Sequence, residues 1–371
     1  MTIPVWQRIH ETAQVLSPFP QPLTIAAIGG SVSTPEGGLS AEVVQFATYE
    51  DLVAAPAGSA KGKIVYISNK MERHPSGRGY GKSGPARFMG PSEAAKKGAV
   101  ALVIRSVGTD SQRSPHTGTT NYPAGVTKIP AAALSNPDAD QLDRILSRKQ
   151  TIRLKLNIKT AQLPETTSYN VIGEISGSEK PHEIVAIGGH LDSWDLGTGA
   201  VDDGAGIAIT VAAAKLIAQQ QRPKRNIRVV MFAAEEIGVF GGNQYALVHK
   251  DELKNHIIGA ESDSGAGNVL ALSSNLGRQS LHVIDAMLAL MAPLNVVRSA
   301  DVVDGSADFG PMVKAGMPPL GLEQDHLVYF DIHHTPDDTL NKVVPAELAQ
   351  NVAAWSIFVK LVADWPGRFD R

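Results

Sequence analysis

Apolar positions fall into two regimes along this chain. Up to about residue 160 they form short runs at Leu23–Ile28, Val43–Phe46, Lys63–Ile67, Val100–Ile104 and Ile129–Leu134. Turn-rich stretches separate them, above all His74–Gly90 and Gly108–Gly125. Short apolar runs bounded by Gly, Pro, Asn and Ser predict strands. Helical patterning is confined to Pro91–Lys97 and Pro137–Ser147. Together these predict a compact, β-rich domain with few helices. Beyond Thr160, strand-like runs at Ser168–Ile175, Glu183–Gly188, Arg225–Ala234, Ile257–Asp263 and Pro318–Leu322 alternate with longer helical stretches. Those stretches are Gly204–Gln221, Val239–His249, Gln279–Ala292 and Ala346–Ala363. Such alternation predicts an α/β domain with helices on both faces of a central sheet. The expected division is 1–162 for the β-rich domain with its N-terminal connector, and 163–371 for the α/β domain.

Composition narrows the chemistry. The length of 371 residues agrees with two domains. The formal net charge is −3, with no long run of one sign, which argues against nucleic acid or an anionic membrane as partner. No apolar stretch reaches the ~20 residues needed to span a bilayer; the run Ile207–Ile217 is broken by Thr210 and Lys215. The chain has no cysteine, which removes disulfides, thiol nucleophiles and thiolate metal sites together. Met1–Thr12 has no apolar core of the kind a signal peptide needs.

The acidic and histidine residues of the second half sit where predicted strands end. His190 and Asp192 follow the run Glu183–Gly188, and Asp202-Asp203 precede a predicted helix. Glu235-Glu236 end Arg225–Ala234, Asp263 ends Ile257–Asp263, and His333-His334 follow Pro318–Leu322. Ligands of α/β sheets collect outside the carboxyl ends of strands. In a regular strand Glu235 and Glu236 would point to opposite faces, both partly desolvated. Like charges so placed raise one another's pKa unless something positive offsets them. A divalent cation is the simplest offset, with one acid binding metal and the other moving protons. Singly, Asp-Asp reads as a helix cap, Glu-Glu as a solvated face and one His as surface or core. Their joint occurrence at successive strand ends points to a metal site.

The strings GGHLDSWDLGTGAVDDGAG, FAAEE, ESDSG and HHTPDDT resemble the zinc aminopeptidase and glutamate carboxypeptidase family. With SPHTG, KIPAAAL and YFDIHHTPDDTLNKV, they are similar to its carboxypeptidase Q subgroup and bacterial homologues. The resemblance implies the zinc-peptidase fold, a mixed sheet sandwiched by helices, joined to a protease-associated-like domain. It implies two Zn2+ ions per chain. His190 and Asp263 would hold one, Glu236 and His334 the other, and Asp202 would bridge both. Asp192 would hydrogen-bond His190 and set its tautomer. Asp203 would follow a cis peptide bond, Glu235 would be the general base, and His333 would be supporting or structural. Three carboxylates, one hydroxide and two Zn2+ sum to zero, so the ligand cluster is repulsive only without metal. The implied activity is exopeptidase hydrolysis of short peptides or dipeptides with a free N-terminus, by a metal-bound hydroxide.

The segment Gly305–Asp308 departs from the pattern: some relatives carry an oxyanion-stabilising Tyr three residues before the matched Asp308, where this chain has Gly305. Subgroup relatives also carry an N-terminal segment, with a secretion signal, ahead of the part that Met1 matches. An extracytoplasmic location and a homodimer follow from the resemblance alone. His116-Thr117-Gly118 is expected either to line the cleft or to form a turn with a surface His. Gly77–Ser83 lacks the first Gly of a phosphate loop and reads as a flexible loop. No G-x-S-x-G elbow and no H-E-x-x-H helix is present. Two other readings stay open: a non-catalytic peptide-binding homologue, and a single-zinc acyltransferase of the glutaminyl cyclase type.

Overall fold

The structure is a computed structural model that describes residues 1–303 and 305–370. The chain divides into two compact units. The first comprises Pro4–Thr166 and Phe330–Asp337; the second comprises Met1–Ile3, Thr167–Tyr329 and Asp338–Arg371.

The first unit is built on strands β1 (Thr2–Ser17), β2 (Gln21–Leu23), β3 (Ile25–Ala27), β4 (Leu39–Phe46), β5 (Ile64–Ile67), β6 (Ala101–Arg105), β7 (Ala131–Leu134) and β8 (Arg153–Thr167). They form one sheet in the order β2-β1-β8-β4-β5-β6-β7-β3. Helices α1 (Tyr49–Ala54), α2 (Gly79–Phe88), α3 (Gly90–Lys96) and α4 (Asn136–Ser147) accompany it. In β8 the alternation is clean: Leu154, Leu156 and Ile158 are buried while Arg153, Lys155 and Asn157 are exposed. That period of two puts one face on the core with Tyr66, Val103 and Leu134. The stretch expected to be a flexible loop at Gly77–Ser83 instead runs into α2, despite Pro85 inside it. Burial of Ser83, Ala86 and Arg87 along this helix overrides its poor local propensity.

The second unit follows with β9 (Val171–Ile175), β10 (Lys180–His190), α5 (Gly204–Ala218), β11 (Arg225–Phe232), α6 (Phe240–Val248), β12 (His256–Glu261), β13 (Val269–Ser274), α7 (Leu281–Met291), β14 (Val297–Arg298), α8 (Gly310–Lys314), β15 (Leu320–Gln324), α9 (Tyr329–Ile332) and α10 (Pro345–Asp364). Strands run β12-β10-β11-β9 in one sheet and β14-β13-β15 in another, bridged where Gly259 pairs with Pro319. β10 is parallel to β11 and β12, whereas β9 is antiparallel to β11, so the sheet is mixed. Val185 and Ile187 of β10 pack with α5, α7 and α10, and Ile184 and Ala186 pack with Tyr245, Phe309 and Met312. Both faces are therefore covered, and β10 reads as a continuous apolar run rather than an alternating one. Trp355 and Phe358 of α10 are wholly buried, each contributing about 2–3 kcal/mol of apolar burial. No helix among the described residues is long and apolar enough to cross a membrane.

Candidate metal centre

The parallel strands β10, β11 and β12 point their carboxyl ends the same way, and the chemistry-bearing residues follow from them. β10 ends at His190 itself. The imidazole Nε2 lies 3.3 Å from Asp202 Oδ1 and 3.3 Å from Asp263 Oδ1. One ligand atom from each of the three lies within 4.8 Å of the others. His190 Nδ1 is 2.8 Å from the Asp192 carbonyl, which makes Nδ1 the donor and leaves Nε2 free to bind a cation.

Asp202 and Asp203 are joined by a cis peptide bond. Asp203 turns away from the ligand atoms. Its Oδ2 accepts from His190 N at 2.9 Å and its Oδ1 from Gly206 N at 3.1 Å, capping α5. The carboxylate fits only because Gly189 and Gly206 lack side chains; a Cβ on either would lie 2.3 Å from an Asp203 oxygen. The cap reading of the pair therefore holds for Asp203, while Asp202 faces His190.

Glu235 and Glu236 lie beyond β11, not within it. The chain turns at Ala234, whose φ is +59°, so strand alternation no longer applies to the two acids. Their backbone N–H groups donate to the two oxygens of Asp192, at 3.0 Å and 3.1 Å. This alters the expected part of Asp192: its carbonyl orients His190, and its carboxylate lies 3.9 Å from Nδ1 and instead holds the Glu235-Glu236 turn. Replacement by asparagine offers one acceptor for two donors. Asp192→Asn should lower kcat by about 10–100-fold; a variant turning over like wild type would remove this role.

Electrostatics match the geometry. Burial alone pulls His190 down, but Asp263 and Asp202 outweigh it and hold the imidazole well above its ordinary value. Desolvation pushes Asp203 and Glu235 well above the usual carboxylate range, with the Asp263 charge adding to both. Without a cation, this cluster is relieved only by protons. A donor set of one imidazole nitrogen and two carboxylates, converging and charge-frustrated, fits a divalent metal of the borderline class.

Asp308 is fully buried but is not part of that convergence. Its Oδ1 accepts from Gly242 N at 2.7 Å, and desolvation raises its carboxyl to about 7. Sequence reasoning missed Glu261, whose Oε2 accepts from Asp308 N at 3.0 Å and so ties β12 to that loop. At Gly305, with φ of +100°, a Cβ would lie 2.4 Å from Val313 Cγ2. The tyrosine of some relatives has no room at this position.

His333 and His334 belong to the 330–337 segment of the first unit. Thr117 N donates to the His334 carbonyl at 3.1 Å, and His334 Nδ1 faces the Thr117 carbonyl at 3.1 Å. His333 stacks on His334, and its carbonyl lies 2.6 Å from His116 Nδ1. His116 is wholly buried against Asp110, at 2.7 Å. It is neither a surface turn residue nor exposed to a cleft, because both ring nitrogens are engaged by acceptors inside the unit.

Comparison with known proteins agrees. Residues 170–359 match the model of peptidase family M28. The chain is 37% identical to mouse carboxypeptidase Q over 363 residues, covering 98% of this chain and 76% of that protein. It is 36% identical to the human protein over 365 residues, covering 98% and 75%. A crystal structure described as a peptidase M28 precursor from Shewanella amazonensis SB2B superposes with a TM-score of 0.97 at 49% identity, covering 100% of this chain and 84% of that one. A zinc aminopeptidase from Bacillus subtilis shares the fold, with a TM-score of 0.65 at 20% identity over 99% and 85% of the two chains. On the family match and the nearly full-length relatives, the chain belongs to peptidase family M28 and is a metallo-exopeptidase.

Proposed function

We propose that the protein is a co-catalytic two-zinc exopeptidase for short peptides or dipeptides with a free N-terminus. The observation that carries the reading is the meeting of His190 Nε2 with the Asp202 and Asp263 carboxylates at 3.3 Å each. His190, Asp202 and Asp263 would hold zinc, and the family pattern adds Glu236 and His334. Bound there, zinc supplies a Lewis acid that acidifies water and polarises the scissile carbonyl.

Glu235 takes the proton from the attacking water and hands it to the leaving amine. Burial raises the Glu235 carboxyl in the metal-free fold, which favours its holding the proton on the way to the leaving amine. Asp192 holds Glu235 by its backbone, so the base is aimed by the same carboxylate that fixes Glu236. Asp203 fixes the backbone of His190 and the start of α5. A location outside the cytoplasm belongs to this reading; the Shewanella relative is described as a precursor.

The test combines metal counting with a substrate pair. The zinc-loaded protein should contain about two zinc ions per chain and hydrolyse unblocked dipeptides. N-acetylated versions of the same peptides should be cleaved at least about tenfold more slowly, having lost the amine that anchors them. One zinc per chain, or equal rates on blocked and free peptides, would sink the proposal.

A further inference from the structure

We propose that Asp338 is a positioning residue for the Asp202 carboxylate. The inference deepens the two-zinc reading and rests on it. Asp338 opens the segment Asp338–Arg371 of the second unit and is only 4 % exposed. Its Oδ1 accepts from Val201 N at 2.7 Å and its Oδ2 from Asp202 N at 3.2 Å. Its carbonyl accepts from Thr198 N at 2.8 Å and from Thr198 Oγ1 at 2.9 Å. One residue thus holds both ends of the loop from Thr198 to Asp202.

The arrangement bears on metal rather than on fold alone. Thr198–Val201 is an irregular stretch between β10 and α5, so no strand or helix ladder fixes Asp202. What fixes it on one side is the cap at Asp203, and on the other is Asp338. Asp338 adds a negative charge to a region already crowded with carboxylates. That charge is tolerable because each of its oxygens accepts a backbone N–H, and charge-assisted bonds of this kind are about twice as strong as neutral ones. With both oxygens so engaged, Asp338 orients a ligand and is not one itself. Asparagine at this position would keep the size but present an NH2 group to one of the two N–H donors. Asp202 would then be free to sample positions away from His190 Nε2.

The test measures zinc affinity by competition with a chromophoric chelator, together with the visible absorption spectrum of the cobalt-substituted protein. Asp338→Asn is expected to weaken zinc binding by about 10–100-fold and to change the cobalt band shape. The melting temperature of the chelator-treated variant should stay close to that of chelator-treated wild type. Thr198→Val, which removes only the hydroxyl donor, should weaken zinc in the same direction by a smaller factor. Unchanged affinity and spectrum in both variants would overturn the proposal. So would a Asp338→Asn protein whose metal-free form is destabilised as much as its metal-loaded form, since Asp338 would then serve the fold generally. Wild type that binds no zinc would instead defeat the two-zinc reading, a result separable from either of these.

Discussion

Replacing Glu235 by glutamine is expected to reduce kcat by about 10²–10⁴-fold, the range that a positioned general base contributes. Zinc content should be unchanged. Glutamine keeps the volume of the side chain and leaves the backbone N–H donating to Asp192, so the turn that carries Glu236 survives. Only the capacity to take and return a proton is lost. The measurement is steady-state hydrolysis of a free dipeptide alongside metal analysis of the same sample. KM should move little, because Glu235 acts on the proton in flight and not on the bound peptide. A Glu235→Gln enzyme within a factor of a few of wild type would assign the base elsewhere.

Removing zinc should lower the melting temperature, and the gap between metal-loaded and metal-free protein should widen as pH rises. The sign follows from the direction of each shift. In the metal-free fold, Asp203, Glu235 and Glu261 are raised well above their ordinary values by desolvation, and Asp308 is raised from 3.8 to about 7. A carboxyl raised in the folded state contributes stability below its unfolded pKa and loses it as pH climbs through the folded one. His190 is raised as well and has the same sign. The metal-free protein should therefore lose stability from about pH 4 upward, with the Asp308 part gone above about pH 7. The charge of a bound zinc offsets the nearby carboxylates once those protons have left, so its stabilisation is greatest at the higher pH. At a hundredfold excess over Kd, binding adds about 2.7 kcal/mol, a rise of about 5–10 °C for a domain of this size. Melts at pH 5.5 and pH 8, with and without chelator, check both points. A gap that stays constant or narrows with pH would contradict the coupling between protons and metal.

The residues that meet at His190 Nε2 are legible in the sequence. His190, Asp202 and Asp263, whose side chains the structure brings together, stand out by residue type near the ends of apolar runs, because a parallel sheet delivers its strand ends to one edge. β10, β11, β12, α5 and α10 were recognisable for the same reason: long apolar runs or helical periods leave little choice of element. β1 and β8 escaped notice. β1 mixes apolar and polar residues without a clean period, and β8 shows its alternation only once Leu154, Leu156 and Ile158 are set against the polar Lys155 and Asn157 between them. α2 was hidden by its Gly and Pro residues, whose local preference opposes the helix that tertiary burial imposes.

Residue chemistry by itself pointed to acids and imidazoles gathered at the strand ends of an α/β scaffold, since candidate ligands are a matter of side-chain type and order. Side-chain type alone does not show which acids face His190 and which accept backbone N–H groups. Asp202 and Asp203, or Asp337 and Asp338, are identical as letters. Only the folded chain separates them, because an oxygen already accepting a backbone N–H in the interior is engaged there, as in Asp203 and Asp338, while Asp202 presents its Oδ1 to His190. Which of two neighbours finds an N–H is set by loop paths tens of residues apart in sequence, and those paths exist only once the core has closed.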